Sequence, residues 1–325
     1  MTDDVRGNDS THSWQARAAT VGGVVLGLVL LLAAWGKSLD PVAFAEQITL
    51  EELDFLVAAE PLAWLLVVAE VVLGVALVLG LRTRMVLSAT GLLVLAFVFL
   101  TARTYWRWLS GVELEAAGCG CFGNLVDRTP TQAFWQDLLL LVPFYAACWL
   151  WPVAAGPRRA AARWGVVVIA GLAAGAFTAL APGLPLDDLA TRLAPGTEVT
   201  DLCAGSKKNE AERVCLDLLV PELEGGRHLV IIASLDSREL RDSVDGLNGL
   251  IGVDAQRVWV IDDAESDEQQ LFFWETGSLF EVREVPGSLL RPLYRTRPRA
   301  FLVENGSVTR TWTGLPEFAN GSEGL

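Results

Sequence analysis

Five runs of about eighteen or more apolar residues crowd the first 183 positions of this 325-residue chain. As a helix, a run of that length matches the roughly 30 Å hydrocarbon layer of a bilayer. Backbone polar groups facing lipid must be paired within their own segment, so such runs fold as spanning helices. They cover 18–35, 61–81, 85–102, 134–155 and 164–181. From residue 184 onward the chain has the mixed polarity of a soluble domain. Only 20% of all residues are charged, against about 25% in ordinary soluble proteins, and the deficit lies in the first part. Pro182, Gly183, Pro185, Pro195 and Gly196 mark the junction between the parts as a linker.

The connections orient the spans. Arg6 and Arg17, then Arg82 and Arg84, then Arg158, Arg159 and Arg163 fall on alternate connections. Lys37, Arg103, Arg107 and Arg128, on the others, are diluted by acids. Basic connections stay in the cytoplasm, which places the N-terminus inside and the soluble domain outside. The first run has no small-residue cleavage site and continues through Trp35-Gly36-Lys37, so it is expected to remain as a span rather than leave as a signal peptide.

Charge and histidine content narrow the function classes. From Asp187 onward there are 25 acids against 14 Lys and Arg. Nucleic acid and anionic lipid headgroups need a basic face, so nucleic acid is not an expected partner. Two histidines, His12 and His228, leave little scope for imidazole chemistry. Glu70 lies in mid-span, where an ionisable group costs a few kcal/mol. It reads either as an interior tether for helix packing or as a contact for a proton or a quinone head. Lys37 sits at the outer end of the first span and Asp137 at the start of the fourth.

Five cysteines carry the remaining chemistry. Cys119 and Cys121 stand in Gly-Cys-Gly-Cys-Phe-Gly before the fourth span, Cys203 and Cys215 flank a polar loop in the soluble part, and Cys148 is inside the fourth span. The first two groups fall outside the cytoplasm, where disulfides persist. A Cys-x-Cys disulfide closes a very small ring, and strained, exposed bonds exchange readily. Gly118, Gly120 and Gly123 permit the backbone angles that such a turn needs. Two inert or structurally bonded cysteines is the alternative; a metal would need further ligands, and none stands near. Cys203 and Cys215 read as a staple for the domain's first segment, with redox exchange as the alternative. Cys148 reads as a small packing residue.

These marks resemble the DoxX-like membrane proteins, in particular the MauE branch named for methylamine utilisation. The resemblance spans roughly residues 20–153. It rests on Trp35-Gly-Lys-Ser-Leu-Asp-Pro-Val-Ala-Phe44, on Ala69-Glu70 with Gly74 and Leu79-Gly80, and most specifically on Cys119-Gly-Cys-Phe-Gly123. It implies a four-helix membrane bundle associated with extracytoplasmic redox or with maturation of a disulfide-containing client such as an amine dehydrogenase subunit. It makes Cys119 and Cys121 the candidate redox pair and Lys37 and Glu70 polar residues of the bundle. No cofactor is certain from the sequence, which shows no quinone site. On the redox reading electrons would pass to or from a membrane carrier such as quinone, and a thioredoxin-like protein or a disulfide-containing client is the expected partner. The expected organisation is a cytoplasmic tail 1–17, a four-helix bundle 18–155, a fifth span 156–182, a linker 183–198 and an extracytoplasmic domain 199–325.

In the soluble part, 229–234 and 257–261 read as buried strands around a helix at 237–249. Residues 299–303 and 308–313 read as a hairpin turning at Asn305-Gly306. The order resembles a thioredoxin-like α/β fold, whose cis-proline position falls on Pro298. The place for a catalytic Cys-x-x-Cys holds Ser237-Arg-Glu-Leu240, so this domain is not expected to be a dithiol oxidoreductase itself.

Overall fold

The structure, a computed structural model, describes residues 4–53, 57–110, 129–151, 157–204, 214–252 and 256–316. The chain divides into two compact units, Met1–Leu184 and Pro185–Leu325. Each has its own core.

The first unit is helical: α1 (Asp4–Leu39), α2 (Pro41–Leu50), α3 (Ala59–Val78), α4 (Arg84–Leu109), α5 (Pro130–Leu150) and α6 (Pro157–Leu180). Among the described residues, five helices are long and apolar enough to cross a bilayer. The chain is a multi-pass membrane protein. α1 packs on α3 and α5, α4 on α5, and α6 on α3. With lipid as apolar as the side chains, helices gain most from backbones that approach closely. Gly27 and Gly74 allow this between α1 and α3, because a Cβ on either would come within 3 Å of the other's carbonyl oxygen.

Helix ends differ from the expected spans for local reasons. α3 stops at Val78 rather than 81 because Gly80 takes a left-handed conformation, φ +74°. α5 stops at Leu150 rather than 155: Trp151 precedes Pro152, and a residue before proline is pushed out of the helical region. α2, on the connection after Lys37, begins with Pro41 and is capped by the Asp40 carboxylate, which accepts from Ala43 N at 3.0 Å.

The second unit holds a five-stranded sheet in the order β5-β4-β3-β6-β7, formed by β3 (Arg227–Ile232), β4 (Gln256–Asp262), β5 (Glu281–Glu284), β6 (Arg299–Glu304) and β7 (Ser307–Thr313). β3, β4 and β5 run parallel, β6 runs antiparallel to β3, and β7 runs antiparallel to β6. Strand residues alternate between two buried faces. Val230, Ile232, Trp259 and Phe301 face one core, and Leu229, Ile231, Val260 and Ala300 the other. Helices α9 (Arg238–Asp242), α10 (Val244–Leu250) and α11 (Ser266–Thr276) contribute Leu240, Val244, Leu247 and Phe272 to the second core. The hairpin turn at Asn305-Gly306 has both residues at positive φ, 50° and 81°, the geometry that keeps the strand twist through a two-residue turn. Strand order, direction and hairpin make this a thioredoxin-like α/β domain.

Three details depart from the sequence reading. The helix expected over 237–249 is broken at Ser243 into α9 and α10; Asp242, Asp245, Gly246 and Gly249 are poor helix formers. β5 was not expected at all, because its burial is partial and its sequence, Glu-Val-Arg-Glu, is mostly charged. The stretch 183–198 is not a free linker. It carries α7 (Asp187–Ala190), and Asp188 accepts from Arg299 at 2.9 Å while Asp187 accepts from the Thr313 hydroxyl at 2.8 Å.

Candidate functional site

In the bundle, the two ionisable residues singled out from the sequence meet. Lys37, near the end of α1, and Glu70, in the middle of α3, form a salt bridge with relative exposures of 1% and 0%. The Lys37 Nζ also lies 4.9 Å from the centre of the Phe44 ring and 4.7 Å from that of Phe97. Ring quadrupoles attract a desolvated ammonium, and each such contact adds about 0.5 kcal/mol or more. α1 carries Lys37 far enough to reach Glu70, α2 swings Phe44 over it, and α4 supplies Phe97. Beside the ammonium is a cavity of about 60 Å³, whose lining includes Gln47, Ile48, Glu51 and Thr104. Arg103 closes on Glu51, donating to its carboxylate at 3.0 Å and its carbonyl at 2.9 Å.

Cys119 and Cys121 lie outside the described residues. Chain connectivity ties their segment to Leu109 at the end of α4 and to Thr129, the cap of α5. Cys148 is a buried free thiol, its Sγ 3.5 Å from the Ala19 carbonyl. Asp137 is buried in α5.

In the second unit, Cys203 and Cys215 are joined by a disulfide. They stand directly opposite each other in a two-residue pairing of β1 (Cys203–Ala204) and β2 (Val214–Cys215). Pro298 follows a cis peptide bond at the start of β6. At the same end of the sheet, Ser237 caps α9, accepting from Leu240 N at 3.5 Å, where a reactive thiol would otherwise sit. His228 is structural: it accepts at Nδ1 from Trp259 Nε1 at 3.1 Å.

Two groups in this region escaped the sequence reading. Asp262 ends β4 and Asp263 follows it, and Arg297, just before the cis proline, donates to Asp262 at 3.0 Å and to Asp263 at 3.3 Å. Burial and proton sharing with Asp263 push the Asp262 carboxyl up to about 6, and the same sharing holds Asp263 below the usual range. Arg299, 1% exposed, donates to Asp188, Thr191, Leu193 O and Leu293 O, pinning the first segment of the unit to the sheet. An Asp-Asp pair at the end of a buried strand was the available signal for the first group. The partners of Arg299 are more than 100 residues away in sequence for three of these four contacts, so no local pattern announced them.

The family model described as "Methylamine utilisation protein MauE" matches residues 15–152. That stretch is similar to the MauE family. No curated protein matches the chain. The MauE-like stretch is followed by α6 and the thioredoxin-like unit. Among solved structures, one described as a thiol:disulfide interchange protein DsbE from Chlorobium tepidum is 20% identical, with 38% of this chain and 89% of that one covered and a TM-score of 0.30. A thioredoxin-like protein from Bacteroides caccae ATCC 43185 is 12% identical, with 80% and 81% covered and a TM-score of 0.26. At such scores the fold rests on strand order and register rather than on either likeness.

Proposed function

We propose that this chain is a membrane component of extracytoplasmic thiol–disulfide exchange, serving the maturation of a disulfide-containing client such as an amine dehydrogenase subunit. The observation that carries the reading is a division of parts. A MauE domain with a Cys-Gly-Cys motif is fused to a thioredoxin-like domain that keeps the cis proline but has Ser237 at the helix start. The thioredoxin-like unit then serves to dock, and Cys119 and Cys121 serve to exchange. The Cys203–Cys215 disulfide supports an oxidising compartment, in line with the arginine distribution that puts the N-terminus in the cytoplasm and the C-terminal unit outside.

On this reading a thiolate from Cys119 or Cys121 attacks a partner's disulfide, or a partner's thiolate attacks theirs, through a mixed disulfide. Oxidation of the pair withdraws two electrons and releases two protons; a membrane quinone takes up both and becomes a quinol. The test is mixed-disulfide trapping. Cys121→Ser and Cys119→Ser, expressed singly in the native host, are each expected to be examined for a reductant-sensitive adduct with an extracytoplasmic protein. One of the two should accumulate it, and no adduct from either would refute exchange.

A second reading, a non-catalytic anchored assembly factor, is favoured by the absence of a thiol at Ser237-Arg-Glu-Leu240. Client maturation that survives Cys119→Ser/Cys121→Ser selects it.

A further inference from the structure

α1 and α6 both lie on α3 but barely touch each other. Between them runs a trough of about 300 Å³, with Val67 and Val71 of α3 as its floor, Leu31 and Ala34 on one side and Ala173 and Ala174 on the other. At one end Trp35 and Phe177 stack across it, ring centres 6.0 Å apart and planes inclined by 11°. Each of these two stands about one turn before its helix finishes, at Leu39 and Leu180, the level at which spanning helices carry their aromatic belts. Packing holds the trough open. A Cβ on Gly171 or Gly175 would lie 2.8 Å from Val72 or Trp64, so α6 rides directly on α3, and Trp64 Nε1 donates to the Gly175 carbonyl at 2.9 Å. The alanines at 34, 173 and 174 are too short to bridge what is left. A void on a bundle's flank forfeits dispersion at every lining atom, and a dry apolar cavity of only about 150 Å³ already takes up benzene. Among the described residues that line the trough none is charged, and its hydroxyl, on Ser38, is spent on the Trp35 carbonyl at 2.8 Å. Water and ions find nothing to hold them there, whereas hydrocarbon surrounds a spanning helix and is as apolar as these walls.

We propose that the trough is the seat of one acyl chain of a phospholipid, with the chain's ester at the Trp35–Phe177 end. The part of the chain next to the ester fills the gap between α1 and α6 and joins α6 to the bundle through lipid. Two features select an ester-linked chain. The trough extends from the aromatic pair only about one turn deeper, to Leu31 and Ala173, so it holds the headgroup-proximal part of a chain rather than its tail. The indole N–H of Trp35, which is 53% exposed, has no partner among the described residues, and an ester carbonyl at the membrane boundary accepts from it. An isoprenoid chain is hydrocarbon throughout and offers no acceptor there.

The experiment uses the full chain in detergent, stripped of lipid and returned to an excess of dioleoylphosphatidylcholine, with retained lipid counted by native mass spectrometry. One lipid per chain is expected. Ala34→Phe/Ala174→Phe fills the trough and should lower retention at least about tenfold, while Leu172→Phe, at a position 70% exposed on α6, should leave it unchanged. Trp35→Phe keeps the ring stack, loses the N–H and should weaken retention about threefold. A second readout needs no substitution at all. A phosphatidylcholine carrying a diazirine near one ester is photolysed on the wild-type chain, and the label is expected on Val67 and Ala174 in preference to Leu172. No retained lipid, retention that survives Ala34→Phe/Ala174→Phe in a chain with wild-type circular dichroism, or label spread evenly over Leu172 and the trough would overturn the proposal. So would an isoprenoid quinone retained in the lipid's place when both are supplied in equal amounts.

Discussion

Removing both partners of the bundle's ion pair should destabilise the membrane unit far less than the two single removals added together. Lys37→Met leaves the Glu70 carboxylate, 0% exposed, without the cation that compensates it. Breaking a buried pair in this way costs about 3–5 kcal/mol, and the lower end applies here because the unfolded chain in a bilayer also finds polar partners; about 3 kcal/mol is expected. Glu70→Met strands Lys37 but leaves it between Phe44 and Phe97. Those contacts return roughly 1 kcal/mol, so the expected loss is about 2 kcal/mol. Lys37→Met/Glu70→Met removes both charges and fills the space with side chains of similar length, a change that is often near neutral; its cost should stay below about 2 kcal/mol. The coupling energy is then at least about 3 kcal/mol. A double-mutant cycle on the full chain in bicelles, unfolded with increasing SDS and followed by near-UV circular dichroism, measures it. Additive single and double costs, to within about 0.5 kcal/mol, would refute the claim that the two charges compensate each other.

Further outcomes follow from the same physics. Asp262 has its folded-state carboxyl raised to about 6 from an ordinary 3.8, so its neutral form contributes stability that is complete below the ordinary value and lost as pH rises through about 6. The thioredoxin-like unit should lose on the order of 1–3 kcal/mol between pH 4 and 7, and Asp262→Asn should flatten the profile in denaturant titrations. Cys203→Ser/Cys215→Ser opens a loop with a sequence separation of 12 and should cost about 3 kcal/mol, read as a lower denaturation midpoint matched by wild type in reductant. Gly74→Val pushes a side chain into the Gly27 carbonyl and Leu31; the α1–α3 contact should fail, with loss of monodisperse protein in detergent, while Gly165→Ala, which meets nothing, should be silent.

The legible part of this molecule was whatever depends on hydropathy and local turn chemistry. Lipid enforces one helix per long apolar run, so five spans could be read directly, and Asn305-Gly306 could be read because two adjacent positive-φ residues leave few alternatives. Charged partners were harder. Lys37 and Glu70 stood out singly, since each is expensive in a bilayer, but their pairing depends on how α1 lies against α3 across 33 residues of sequence. The same holds for Asp188 and Arg299, 111 residues apart: the proline- and glycine-rich 183–198 reads as a linker until the sheet presents it with a buried guanidinium. β5 was illegible because an edge strand needs no apolar pattern to pair on one side. The Cys-Gly-Cys motif is the opposite case, plain in the sequence and outside the described residues.

The most direct test of the account concerns those two sulfurs in native membranes. Sealed, correctly oriented membranes are treated with a membrane-impermeant maleimide before and after a mild reductant, and the mass added at Cys119 and Cys121 is compared with that at Cys148. The account predicts that the pair resists modification until it is reduced, is then modified from the extracytoplasmic side, and becomes resistant again when an oxidised quinone is restored, with Cys148 unreactive throughout. A pair that stays reduced under every condition, or reacts only once the cytoplasmic face is opened, would contradict it.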